Sequence, residues 1–288
     1  MFPRRALLAA APALLAGCDA PTWRSDGTRP SPSASPSPSE SPTPSPTVEA
    51  PPSSTAPPPP PPPPNKTVNW YVSQVPKFPK APAPEAVSVP GGASTPWWSR
   101  VPTSHKVAFI TIDDGGMSRT NEALEFIKRA KIPVSLFLNS PAAGNYTSYF
   151  KAIQDTGAKI HDHTVTHRNL KGQSYDFQRK EIGDCADRLE ELFGERPYLF
   201  RPPFGNYDNV TLKAARDCGM RVSFFWTQTV HEGIVRYQTS QKIVKPGDVL
   251  LMHFRPALAD DLLGALKAMH ESGLTPARLE DYIPRPAA

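Results

Sequence analysis

Residues 106–116 run Lys-Val-Ala-Phe-Ile-Thr-Ile-Asp-Asp-Gly-Gly, an apolar segment that stops abruptly on two carboxylates and two glycines. A short, nearly continuous apolar run rich in β-branched residues suits a strand buried on both faces. The polar residues begin where that strand would leave the sheet. The same arrangement recurs toward the C-terminus. Residues 158–162 lead into His163-Thr164-Val165-Thr166-His167, and 198–200 into Arg201-Pro202-Pro203-Phe204-Gly205. Residues 222–226 end on Trp226, and 249–253 end on His253. Amphipathic segments separate these runs, at 120–130, 148–155, 174–193, 210–218 and 260–270, with a further strand at 134–138. In 174–193, Ile182, Cys185, Leu189, Leu192 and Phe193 fall toward one side, and Gly194 is the stop signal. Alternation of strand and helix predicts an α/β fold on a parallel sheet. A span of roughly 180 residues is short for eight full units, so the expected form is a distorted (β/α) barrel of about seven strands, with an open sheet as the alternative. Barrels of this kind gather catalytic residues at the C-terminal ends of their strands.

Upstream, the composition changes. The chain has 288 residues and 37 prolines, most of them before residue 103. Arg4 and Arg5 precede an apolar stretch at 6–16 that is too short to span a bilayer. It ends in Leu15-Ala16-Gly17-Cys18, which resembles a bacterial lipobox. Residues 1–18 are thus expected to be a lipoprotein signal that anchors the chain to the outer face of the membrane through Cys18. Residues 19–65 are mostly Pro, Ser, Thr and Ala, with unbroken proline from Pro57 to Pro64. Such a segment has too little apolar surface to offset its ordering entropy and is expected to be a disordered tether. Residues 66–104 hold Trp70, Tyr71, Phe78, Trp97 and Trp98 among many prolines. They are expected to form an extended arm that packs on the domain 105–288 near Trp97 and Trp98. The formal charge is +5, and much of the excess lies in Arg4, Arg5, Arg24, Arg29, Lys66, Lys77 and Lys80, outside that domain. A nucleic-acid partner is therefore not expected. A monomer is the expected state.

The clusters carry chemistry. Gly115 and Gly116 let the backbone turn after Asp113 and Asp114, so adjacent carboxylates can enter one site with different tasks. His163 and His167 share a face whether the segment is helical or extended. Neutral imidazoles with a carboxylate suit a divalent transition metal. His161 is expected to be structural or to support the ligands. His253 reads as a general acid and Arg201 as the partner of a carboxylate. Cys185 and Cys218 could pair or stay separate buried thiols.

In this order the clusters resemble the motifs of the polysaccharide deacetylase (NodB-homology) family of carbohydrate esterases. Thr111-Ile112-Asp113-Asp114-Gly115, His163-Thr164-Val165-Thr166-His167, Arg201-Pro202-Pro203-Phe204-Gly205 and Leu251-Met252-His253 carry the resemblance. It implies a divalent metal, commonly zinc, held by Asp114, His163 and His167. It also implies Asp113 as general base, oriented by Arg201, His253 as general acid, and the backbone N–H of Phe204 as an oxyanion donor. The implied substrate is an N-acetylated amino-sugar polymer, with peptidoglycan suggested by the expected location. One departure stands out. The family has an aspartate near the tryptophan of its fourth motif, and here the stretch is Trp226-Thr227-Gln228-Thr229-Val230-His231-Glu232. Gln228 or Glu232 is the candidate replacement. Failing that, the expectation is a catalytically weak glycan-binding lipoprotein that keeps the metal site.

Overall fold

The computed structural model describes residues 66–116 and 118–285. The signal segment, Cys18 and the tether at 19–65 lie outside the described residues. The elements in order are α1 Val68–Gln74, β1 Trp97–Trp98, β2 Val107–Asp114, α2 Asn121–Ala130, β3 Val134–Leu138, α3 Ser140–Asn145, α4 Thr147–Gln154, β4 Ile160–Asp162 and α5 Tyr175–Phe193. There follow β5 Leu199–Phe200, α6 Asn209–Asp217, β6 Val222–Phe224, β7 Gln228–His231, β8 Ile234–Tyr237, β9 Val249–His253, α7 Leu258–Glu271, β10 Thr275–Ala277 and α8 Leu279–Tyr282. The strands form one sheet in the order β1-β6-β5-β4-β3-β2-β9-β7-β8, with β10 also paired to β2. All neighbours are parallel except the β7–β8 hairpin. This is the distorted (β/α) barrel expected from the alternation, incompletely closed.

The helices start and stop where local chemistry directs. Thr120 caps α2, Ser174 caps α5, and Asp208 forms a reciprocal capping box with Thr211 on α6. Gly194, at φ 78°, ends α5 in the left-handed conformation that favours glycine. Along β2, successive side chains alternate between two buried layers. Ala108, Ile110 and Ile112 pack outward with Phe126, Ile127 and Leu262 of the helices. Val107 and Phe109 point to the inner layer with Phe137, Leu199, Val222 and Phe224, where α8 adds Leu279 and Tyr282. Burial on both faces is why the strand reads as a continuous apolar run.

There are ten strands among the described residues, not about seven. The additional ones left little trace in the pattern. β1 has two residues, too few to show any period. The β7–β8 turn is Glu232-Gly233, with φ of 53° and 75°, and a glutamate in that position is not a usual hairpin signal. β10 contains Pro276, which argues against a strand by composition. Residues 97–101 do more than lie against the domain. β1 pairs with β6, and Arg100 makes an antiparallel bridge to Asp248 just before β9. Arg100 also donates from Nε to Asp248 Oδ1 at 2.6 Å. Residues 97–101 therefore lie in the seam between β6 and the start of β9. The segment 66–104 is not extended throughout as expected: residues 68–74 form α1, whose buried Tyr71 packs on Phe126 of α2. Cys185 and Cys218 are free, buried thiols.

Candidate metal centre and active site

The register of the sheet assembles the site. Asp113 on β2 is directly opposite His253 on β9, and Asp162 at the end of β4 is opposite Phe200 of β5. All are at the C-terminal ends of their strands. Asp114 leaves β2 at φ 78° and Gly115 continues at 84°, so the two carboxylates separate. Asp114 Oδ1 lies 3.4 Å from His163 Nε2 and 3.1 Å from His167 Nε2. The second imidazole is brought back by a loop with two strained residues, Thr164 at φ 70° and His167 at φ 54°. Asp162 Oδ1 accepts from the Thr164 N–H at 2.9 Å, and Thr164 Oγ1 accepts from the His167 N–H at 3.2 Å. Glu181 of α5 grips the loop, its carboxylate accepting from Thr166 N–H at 2.8 Å and Thr166 Oγ1 at 2.9 Å. Among the described residues, four of the six non-glycine residues with positive φ, namely Asp114, Thr164, His167 and Phe204, are at this site. Strain concentrated in this way is typical of a site held in place by its surroundings.

Three observations fit a cation. Asp114 Oδ1 is buried and has no hydrogen-bond donor. His163 Nδ1 is 2.7 Å from the Arg201 carbonyl, which can only accept, so Nε2 carries the lone pair that faces Asp114. The spacings of 3.1 and 3.4 Å match those of ligand atoms placed tetrahedrally about 2.0–2.1 Å from zinc. One carboxylate and two imidazoles are also a donor set that suits zinc and related divalent ions. The electrostatics agree. Burial opposes ionisation of Asp114, but His163 and His167 outweigh it and hold its carboxyl far below the usual range. Burial alone would lower the His163 pKa, yet Asp113 and Asp114 raise it overall.

Asp113 is held apart from this triad. Its Oδ1 accepts from Arg201 Nη1 at 2.6 Å, and its Oδ2 is 3.8 Å from His163 Nε2. Arg201 is fully buried and lies over the Phe137 ring at 4.4 Å. Its other donors reach Thr111 Oγ1 at 2.9 Å and the Phe225 carbonyl at 3.1 Å. Burial lowers the Arg201 pKa, and the Asp113 charge opposes that change. Phe204, at φ 61° and 61% exposed, has its ring edge-on to His167 at 4.8 Å between centroids. His253 is half-buried. Desolvation lowers its pKa and Arg255 adds to that, against the raising effect of Asp113 and Asp114.

The seven expected site residues thus gather in one place. His161 does not join them: its Nε2 is 2.8 Å from Glu280 Oε1 in the barrel interior. Neither candidate for the fourth-motif carboxylate fills the role. Gln228 Nε2 donates to Asp248 Oδ2 at 2.8 Å and its Oε1 accepts from Thr227 at 2.6 Å, while Glu232 is exposed at the hairpin turn. Sequence reasoning missed Thr111, Asp162 and Glu181. Thr111 was legible as the one hydroxyl inside an apolar strand. Asp162 was legible as a carboxylate at a strand end, and it is buried deeply enough that its pKa is pushed up to about 8. Glu181 had no signal, because its target is a loop on another element.

The polysaccharide deacetylase family model matches residues 100–223. An uncharacterized protein of Streptomyces coelicolor is 34% identical over 188 residues, 64% of this chain and 75% of that protein. The chain belongs to the polysaccharide deacetylase family. A peptidoglycan-N-acetylglucosamine deacetylase of Bacillus cereus is 26% identical over 162 residues, 53% of this chain and 75% of that protein. In fold, the chain is similar to a family 4 carbohydrate esterase pseudoenzyme from Bacillus anthracis, with a TM-score of 0.56 and 20% identity over 68% of this chain and 71% of that one. Family membership supports a deacetylase hydrolase. The pseudoenzyme is a reminder that this fold also occurs without turnover.

Proposed function

We propose that this chain is a metal-dependent deacetylase that removes N-acetyl groups from an amino-sugar polymer of the cell envelope, with peptidoglycan as the substrate. The observation that carries the reading is the Arg201–Asp113 pair beside the Asp114–His163–His167 triad, with His253 opposite in register. Asp114, His163 and His167 would hold the ion. When bound there, a divalent ion, zinc by its donor set, would supply Lewis acidity toward the acetamide carbonyl and would acidify the attacking water. Asp113, whose Oδ1 is occupied by Arg201, offers Oδ2 to take the proton of that water. The Phe204 N–H donates to the oxygen on which charge develops. His253 gives a proton to the departing amine, and acetate and a free amino sugar result. Arg201 holds and aims the base through its 2.6 Å bond to Asp113 Oδ1.

The ordering of export segment, Cys18 and proline-rich tether supports a lipid-anchored domain held outside the membrane. No described helix is long and apolar enough to cross a membrane. The reading takes the protein as a monomer. Acetate release from N-acetylglucosamine oligomers and from wall glycan, with and without chelator, tests the proposal. Chelator-sensitive release supports it, and no release from any acetylated sugar sinks it.

One observation favours a second reading, a glycan binder with weak or no turnover. Gln228 is committed to Asp248, which leaves His253 without an added anionic partner from that strand. Tight metal and saccharide binding without acetate release would select the binder.

A further inference from the structure

Phe225 follows β6 and touches both halves of the proposed machinery. Its carbonyl accepts from Arg201 Nη2 at 3.1 Å, and Arg201 Nη1 donates to Asp113. Its ring presses on Gly205 so closely that a Cβ there would lie 2.2 Å from the ring edge. Gly205 adjoins Phe204, and both have positive φ, 67° and 61°. One side chain thus bounds the turn that carries the oxyanion donor, and its main chain supports the cation that aims the base.

Phe225 is itself gripped from the arm. Its N–H donates to the Trp98 carbonyl at 2.8 Å. The Trp97 ring packs against the Phe225 ring with centroids 5.6 Å apart, tilted by 40°. Trp97 also stacks on Tyr207 at 4.0 Å and 28°. Tyr207 is two residues beyond Gly205, so Trp97 and Phe225 together hold the 204–207 turn from two points. Trp226 stacks on Phe225 at 4.0 Å and 21°, which restricts that ring further.

We propose that Trp97 and Trp98 of the arm are positioning residues of the active site. Acting through Phe225, they fix both the Phe204–Gly205 turn and the Arg201–Asp113 pair. The inference rests on the deacetylase reading for its kinetic consequence, but not for the clamp itself. Small misplacements of reacting groups cost rate far more than they cost ground-state binding.

The test compares Trp97→Ala and Trp97→Phe with Val89→Ala, an arm substitution at a residue packed on the inner core and away from the turn. Expected for Trp97→Ala is a fall in kcat of about tenfold to a hundredfold, with KM and metal affinity little changed. Trp97→Phe, which keeps a ring in the stack, should recover most of the rate. Val89→Ala should lower the melting temperature without lowering kcat. Loss of activity in Trp97→Ala only in proportion to its unfolded fraction, or no recovery in Trp97→Phe, overturns the proposal. Should the unaltered protein release no acetate, the deacetylase reading fails, and amide hydrogen exchange then decides the clamp. Faster exchange at Gly205 and Asn206 in Trp97→Ala but not in Val89→Ala supports it, and unchanged exchange overturns it.

Discussion

Each of the two adjacent aspartates has its own partner, and that division sets what substitutions should do. Asp113→Asn keeps the shape and loses the proton acceptor. The expected result is a drop in kcat of about 10²–10⁴-fold with metal binding retained, measured by acetate release and metal titration. Asp114→Ala should do the reverse at the first step, removing the ion from the site as read by calorimetric metal titration. The metal and the proton compete for His163. Its pKa is raised in the folded protein by Asp113 and Asp114, although burial alone would lower it, so protons hold that ring more firmly than usual. Metal affinity should therefore weaken as pH falls into the titration range of that ring, and stay nearly flat above it. An affinity that rises on acidification would contradict the assigned ligand set. Gly205→Ala combines a left-handed backbone with a Cβ 2.2 Å from Phe225, so it should both destabilise the fold and lower kcat.

Strand ends and loops place these residues, and the arm supplies part of the frame. β1 is only two residues long, yet it lies in the seam between β6 and the start of β9. Thr95 adds a buried hydroxyl pair with Ser223 at 2.7 Å, and Val101 donates to the Gly247 carbonyl at 2.8 Å. Starting the chain at residue 105 removes all of this and leaves one edge of β6 unpaired. That truncation is expected to lose the cooperative thermal transition, whereas a chain starting at residue 66 should keep it. Circular dichroism melts of the two check this. A full-strength transition from 105 onward would show that the seam is dispensable. The sequence indicated an arm packed near Trp97 and Trp98, but not that these residues pair into the sheet. A run such as Thr95-Pro96-Trp97-Trp98 has no period, and its strand character comes entirely from the neighbour it pairs with.

At the scale of the molecule, stability should depend on pH through a buried acid far in sequence from the proposed metal ligands. Asp261 is 1% exposed near the start of α7 and accepts one bond, from the Gly233 N–H at 2.9 Å. Burial pushes its pKa up to about 6, against the lowering effects of that bond, His231 and Arg255. A raised carboxyl pKa means the folded state holds the proton more tightly than the unfolded chain. Its contribution is therefore present below the unfolded value near 4 and is lost as pH rises through about 6. Denaturant melts from pH 4 to 7 should show this decline in the unaltered protein and a shallower one in Asp261→Asn. Identical slopes would remove Asp261 as the source.

Much of this protein was decided by its linear pattern. The β2 and β9 runs are apolar nearly throughout because both faces of each strand are covered, and that is a property of composition alone. The polar residues that interrupt such runs at their ends, Asp113, Asp114, His163, His167, Arg201 and His253, were legible for the same reason. A charged group at the end of a buried strand is costly unless a site uses it. Other features could be decided only in three dimensions. That Gln228 faces Asp248, that Glu181 holds the ligand loop and that Trp97 clamps the 204–207 turn all follow from contacts between segments far apart in the chain. Such contacts depend on sheet register and packing geometry, which no local periodicity encodes.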